Sequence, residues 1–344
     1  MVFAQIQENY ILDILKSKHE LRYDYISINP NITWKVIEDH RDKSWDWFYI
    51  SKNPLITWKI IEENPEKPWD WLSISTNPNI TWKIIEENPD KLWDWHAISK
   101  HPNITWDIIQ NNLDKLVDWF WISLNPNITW KVIEDHRDKP WNWSGLSYNP
   151  DITWKNIKNN LDKPWNWSTL SYNPNITWDI IQYNLDKPWN WFAISKNPNI
   201  NWDIIMNNPY KLWDWYGISQ NVNITWANIK ENLDKPWNWY YISKHTNITW
   251  KIILDNLNVP WNWQGVSMNP NITWKNIQDN LDKPWDWRFI SLHPNIFTLP
   301  EDVLIKNLKK YFAVKKIFRY WFRCITDPSY AICRKRLMRE LLSE

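Results

Sequence analysis

Only 3 of the 344 residues are glycine, too few for the phosphate loops, dinucleotide fingerprints and tight hairpins that need positive φ, so the common nucleotide-binding folds are excluded. Lys+Arg 40 against Asp+Glu 39 leaves the chain near neutrality and argues against a chain-wide electrostatic partner, whether nucleic acid or anionic membrane. The 34 tryptophans point instead to a repeat that sets the composition.

At the N-terminus, charges stand where a secretory signal needs an apolar run, and no stretch approaches a transmembrane span; the expectation is a soluble, intracellular, cytoplasmic protein. The segment LRYDYIS (Leu21 to Ser27) matches the later WDWFYIS with Tyr23 in place of Trp47, and Tyr10 falls where a Trp34-type residue should. Residues 1–28 are therefore read as a degenerate, polar capping unit.

From Asn29 the chain repeats every 24 residues, beginning NPNITWKVIEDHRDKSWDWFYISK. Trp34 to Trp274 is an unbroken series of 11, the series from Trp47 to Trp287 is also complete, and the one from Trp45 is broken only at Val117. Only Trp121 and Trp321 lie outside these three series. Residues 29–292 are read as eleven repeats.

In each copy Trp34, Ile37 and Arg41, or the Leu that often replaces it, fall at helical spacing. Thr33, replaced once by Asn201, is a natural N-cap. These signals predict a first helix from about Trp34 to about His40, ended by prolines such as Pro65. Asp-Lys-Pro-Trp, as at Asp162 to Trp165, predicts a second start with Asp as cap and Pro in the first turn. On that second helix Trp47 and Ile50 share a face, and Trp45 is expected to point the other way, toward Tyr49. The unbroken Ser51 series is expected to bond backbone at the turn that follows.

Helices this short do not persist alone in water and must stack, which predicts an all-α solenoid, with a β-solenoid as the runner-up. Eleven units at one helix spacing of roughly 8–10 Å each would make a rod or superhelix on the order of 100 Å long. The tryptophans are read mainly as packing, and Trp121 is expected to fill the gap left at Val117.

Residues 293–344 start another unit, lose its Trp and become basic, with 11 Lys or Arg from Lys306 to Arg339. Ile317, Trp321 and Cys324 suggest an amphipathic helix packed on the last repeat. This tail is the one place where nucleic acid or acidic lipid is an expected partner.

No catalytic residue, metal site or cofactor site is expected. Cys324 and Cys333 fit neither a zinc pattern nor a disulfide framework, the seven His are scattered, and no nucleophile stands with a base. The Asn-Ile-Thr sequons are read as turn Asn plus cap Thr in preference to glycosylation sites.

The informative variation lies in the two residues after Trp47. These read Phe48 and Tyr49, Leu72 and Ser73, His96 and Ala97, Phe120 and Trp121, then small pairs, then Phe192 and Ala193, Tyr216 and Gly217, Tyr240 and Tyr241, Gln264 and Gly265, and Arg288 and Phe289. A constant frame with one variable spot per unit is how solenoids present a binding surface. The candidate partner-binding residues are accordingly Phe48, Tyr49, His96, Phe120, Trp121, Tyr216, Tyr240, Tyr241, Arg288 and Phe289.

The words Asn-Pro-Asn-Ile-Thr-Trp, Asp-Lys-Pro-Trp-Asn-Trp and Ile-Ser resemble the tryptophan-rich tandem repeats of giant DNA viruses of the mimivirus type, over roughly residues 29–298. The 43 Asn fit that source. The resemblance implies no activity, and for a viral protein it implies the host cytoplasm or the virion as location. The leading expectation is a non-enzymatic protein-interaction scaffold. The alternative is a module binding single-stranded RNA or glycans through an aromatic groove, which for RNA would want Lys or Arg beside each aromatic, a feature read from the sequence only at Arg288.

Overall fold

The structure is a computed structural model that describes residues 2–16, 21–116 and 118–326. Val117, Cys333 and the tail arginines beyond residue 326 lie outside the described residues, as do the side chains of Ile317, Trp321 and Cys324. The described residues contain helices and no strand, so the all-α solenoid holds and the β alternative falls. The chain packs as two units, Lys18–Ile296 and Met1–Ser17 with Phe297–Glu344.

Each repeat carries a first helix such as Trp34–Asp39 and a second such as Trp47–Ser51. Thr33 Oγ1 accepts the Val36 amide, and where Asn201 replaces the threonine its Oδ1 accepts the Ile204 amide instead. At the other end Asn64 turns its carboxamide back to Ile60 O, and its own carbonyl accepts the Trp69 indole N–H at 2.8 Å. Caps at both ends answer the orphan backbone groups of so short a helix.

The second helix starts later than the sequence suggests. Its cap is the Asp or Asn between the two tryptophans: Asp46 Oδ1 accepts the Phe48 amide and Asn142 Oδ1 the Gly145 amide. Asp-Lys-Pro is a turn in which Asp162 pairs with the adjacent Lys163. Trp45 consequently stands before the helix and does not face Tyr49. It reaches the preceding unit, edge-on to Tyr23 at 5.1 Å, as Trp69 meets Trp47 at 5.1 Å and Trp34 at 5.7 Å. Such edge-to-face contacts add to the burial of large apolar area.

Trp121 does not take the place of the absent tryptophan; the loop of this unit instead buries Leu116. Leu116 is 0% exposed, whereas Leu92 and Leu212 at the same register are 78% and 72% exposed. The Leu116 amide bonds Asn112 O at 2.9 Å, a turn in which this leucine is buried. Trp121 lies instead on the second-helix surface, beside His96 of the preceding unit.

Three hydrogen-bond rows tie unit to unit. Ser51 Oγ accepts the Asp70 amide 19 residues on. Asn77 Nδ2 donates back to Asn53 O, Ser51 O and Ile56 O. Asn79 Nδ2 donates to Pro54 O and Ile56 O. The Ser51 series therefore does bond backbone, but across the unit boundary. The sequon asparagines hold neighbouring units together with the very nitrogen that glycosylation would take.

The same rows join the end of this unit to its beginning. Arg22 N donates to Ser291 Oγ at 2.9 Å, Asn29 Nδ2 to His293 O at 2.9 Å, and Asn31 Nδ2 to Pro294 O at 2.8 Å. Each repeats an internal bond once twelve 24-residue steps are taken off. Helix Tyr23–Ile26 packs on helix Trp287–Leu292 as the first and last of twelve second helices among the described residues. The Lys18–Ile296 unit is thus a closed ring, not an open rod, and Leu21 to Ser27 is a full member of it instead of a cap. The expected contour of ~100 Å becomes a circumference, which makes the ring about 30–40 Å across at its helix axes.

Curvature follows from side-chain bulk. Consecutive second helices touch closely: a Cβ on Gly145, Gly217 or Gly265 would lie 2.4–2.7 Å from a backbone oxygen of the preceding second helix. Between consecutive first helices sit indoles, as Trp69 sits against Trp34. A wedge thick at the first helix and thin at the second closes with the second helices inside.

In the other unit, helix Val2–Leu15 packs on helix Glu301–Thr326. Gln7 Nε2 donates to Phe297 O and Gln7 Oε1 accepts the Leu299 amide at 3.2 Å. Ile11, Ile14 and Phe297 are buried, and burial together with the charge of Asp302 pushes the Tyr10 phenol up to about 12.

Candidate functional site

The residue after Trp47 and the residue four further on lie on the exposed side of the second helix, which lines the inside of the ring. The intermediate residue, Tyr49 and its equivalents, sits between neighbouring second helices and sets how closely they approach. Gly, Ala and Ser there let backbones touch, and Tyr, Trp and Phe are displayed from the seam.

Most of the candidate residues assemble into contacts. Phe48 meets Tyr49 edge-on at 5.2 Å, and Lys52 Nζ lies 4.5 Å from both ring centres. Phe120 meets Trp121 at 5.2 Å; Trp121 lies 6.2 Å from His96 and carries Lys100 Nζ at 4.2 Å. His96 stands between Asp94 and Asp118, at 3.6 and 3.5 Å. Arg288 is held by both oxygens of Asp286 and lies over Phe289 at 5.7 Å.

The longest run crosses three unit boundaries. Tyr172, Phe192, Tyr216 and Tyr241 follow with ring-centre distances of 6.5, 5.6 and 4.7 Å, and Tyr240 joins Tyr241 at 5.1 Å. The Tyr216 and Tyr241 hydroxyls are hydrogen-bonded to each other, which pushes the Tyr241 phenol up to about 12. Tyr240 Oη donates to the Met268 sulfur at 3.2 Å, and Lys244 lies about 5 Å over both Tyr240 and Tyr241.

Sequence reasoning missed the lysines, and with them its own criterion for RNA. Lys52, Lys100 and Lys244 stand over aromatic rings from the same helix or its neighbour, and Arg22 lies 5.1 Å over Tyr25, so Arg288 is not alone. The signal was a basic residue five positions after Trp47, one turn past the variable pair. Burial, and then the charge of Lys196, push Lys244 below the usual lysine range.

The serines that recur in every copy bond the frame. Ser75 Oγ donates to Trp71 O at 2.8 Å and accepts the Asp94 amide at 2.8 Å. Among the described residues no three His, Cys, Asp or Glu side chains converge as a metal site, and no helix is long and apolar enough to cross a membrane.

Three of the histidines belong to the frame in a way the sequence reading overlooked. His101, His245 and His293 occupy the Asn53 register. His101 Nε2–H donates to Asn77 O at 3.1 Å and Nδ1 accepts the Asn103 amide at 3.1 Å, copying the carboxamide of Asn77. Burial holds all three below the usual histidine range.

Comparison with family models, with curated proteins and with solved structures finds no match to this chain.

Proposed function

We propose that the chain is a non-enzymatic binding ring that presents the inner side of its second helices to a partner macromolecule. One observation carries the reading: aromatic rings follow one another from Tyr172 to Tyr241, with Tyr172 and Tyr216 exposed and Phe192 and Tyr241 half-buried, over a frame whose polar groups are consumed by unit-to-unit bonds. Isolated surface aromatics need no explanation, but a contiguous patch does. The resemblance to giant-virus repeats supports a setting among host or virion components.

The test is affinity capture from cell lysate, with and without nuclease, by wild type and by a variant with Phe48, Tyr49, Phe120, Tyr216, Tyr240 and Tyr241 changed to Ala. Circular dichroism checks that the variant keeps its helices. A specific partner lost in the folded variant supports the reading. Equal recovery of the same material by both proteins contradicts it.

A further inference from the structure

We infer that the occupant of the inner side is a single-stranded nucleic acid. The inference rests on the binding-ring reading and adds the partner's chemistry.

Charge is sorted in this ring, which near-neutral composition conceals. Lysines of the outer turns are neutralised locally: Lys43, Lys67, Lys91, Lys139 and Lys163 each pair with the acid before them. Lys52, Lys100, Lys196 and Lys244 on the inner side form no ion pair among the described residues, and three of the four lie over aromatic rings. The fourth, Lys196, adds its charge to the burial that holds Lys244 below the usual lysine range. Of the acids on these helices, Asp24 and Asp286 pair with Arg22 and Arg288, while Asp46, Asp70, Asp94, Asp118 and Asp214 keep their charge at the opposite, N-terminal end of each second helix, where they cap its amides.

Unpaired cations beside partly exposed aromatics are what a single strand needs, with phosphates on the lysines and bases on the ring surface that the lysines leave open. A duplex hides its base faces by stacking and offers only phosphates. An acidic protein segment would satisfy the lysines and leave the aromatic faces uncovered. Neutral sugars would leave the lysines unused.

The experiment is fluorescence anisotropy of the full chain with labelled oligo(U) and oligo(dT) of about 20 nucleotides, titrated between about 50 and 200 mM salt. Four phosphate contacts at about 0.7 each predict a slope of log affinity against log salt of about −3. The variant K52Q/K100Q/K196Q/K244Q loses most of that slope and at least tenfold in affinity at the low-salt end. The six-aromatic variant loses affinity at unchanged slope, since stacking is not salt-linked. No saturable binding at low salt overturns the inference, as does tighter binding of a duplex of equal length. Binding by the lysine variant equal to wild type overturns it too and assigns the contact to the basic tail. A nuclease-resistant protein captured through the aromatic residues, with no oligonucleotide binding, overturns this inference and leaves the binding-ring reading intact.

Discussion

Arg22 and Ser291, 269 residues apart in the chain, share a hydrogen bond in which the Arg22 amide donates to Ser291 Oγ at 2.9 Å. It is the same bond that Asp70 makes to Ser51 and Asn166 makes to Ser147. The closing interface is therefore one more copy of the interface that holds every neighbouring pair of units, and a stack that adds stability neighbour by neighbour gains one interface and loses two free ends.

If closure contributes as any other interface does, Ser291→Ala and Ser147→Ala cost the same. Each leaves one backbone amide without its acceptor, a loss of about 1 kcal/mol. Chemical denaturation of the two variants checks this. A silent Ser291→Ala beside a destabilising Ser147→Ala would place Ser291 at a free end.

The buried histidines make the ring acid-sensitive. Their native values lie below the usual histidine value of about 6.5, so the unfolded chain binds more protons as pH falls. Their contribution is complete above about pH 6.5 and is lost as pH falls through the depressed native values, where Nδ1 ceases to accept. Thermal melts between about pH 7.5 and 5 should show a falling Tm. The triple variant H101N/H245N/H293N, with the residue that holds this register in the other units, should flatten that part of the profile.

Leu116 should behave as core while its register mates behave as surface. Leu116→Ala removes a fully buried side chain and costs about 2–5 kcal/mol, whereas Leu92→Ala and Leu212→Ala stay within about 0.5 kcal/mol. Denaturation midpoints of the three variants separate the cases. Equal small losses would mean that Leu116 is not packed as core.

Gly265→Ala tests the wedge. Its new Cβ would meet Tyr240 O at 2.4 Å and Ser243 Cβ at 2.9 Å, neither of them a flexible side-chain end. Forcing the helices apart costs about 1–3 kcal/mol. Because the strain lies on the inner side, it should also raise susceptibility to limited proteolysis at the closing interface. A variant as stable as wild type would show that second-helix contact does not set the curvature.

Much of this fold was legible in the repeat itself. Thr33 and Asn201 announced the first cap, and the spacing of Trp34 and Ile37 placed the first helix to within a residue of Trp34–Asp39. The second helix was misplaced because Asp-Lys-Pro imitates a helix start, while the true cap, Asp46 or Asn142, is hidden between two tryptophans. Closure was not legible because it depends on the small angle between neighbouring units, which is set by relative bulk in two layers and accumulates over the whole turn. Its one trace was the match of Leu21 to Ser27 to the second half of a unit. At the candidate site most aromatics were legible as variation in a constant frame, but Tyr172 stands in the register of Lys52 and was not. The lysines were not, because they stand one helical turn away from the variable pair, and their effect exists only once neighbouring units face a common space.

The most direct test of the closed ring is the distance between residues 28 and 292, which occupy the same register in the first and last second-helix segments. Spin labels at Ile28→Cys and Leu292→Cys, with Cys324 and Cys333 changed to Ser, report it by pulsed electron–electron resonance, with a 28–52 pair as the adjacent-unit reference. Closure predicts that the two pairs give matching short distances, on the order of one helix spacing plus the label arms. A 28–292 distance approaching 100 Å, the length of an open stack, would contradict it.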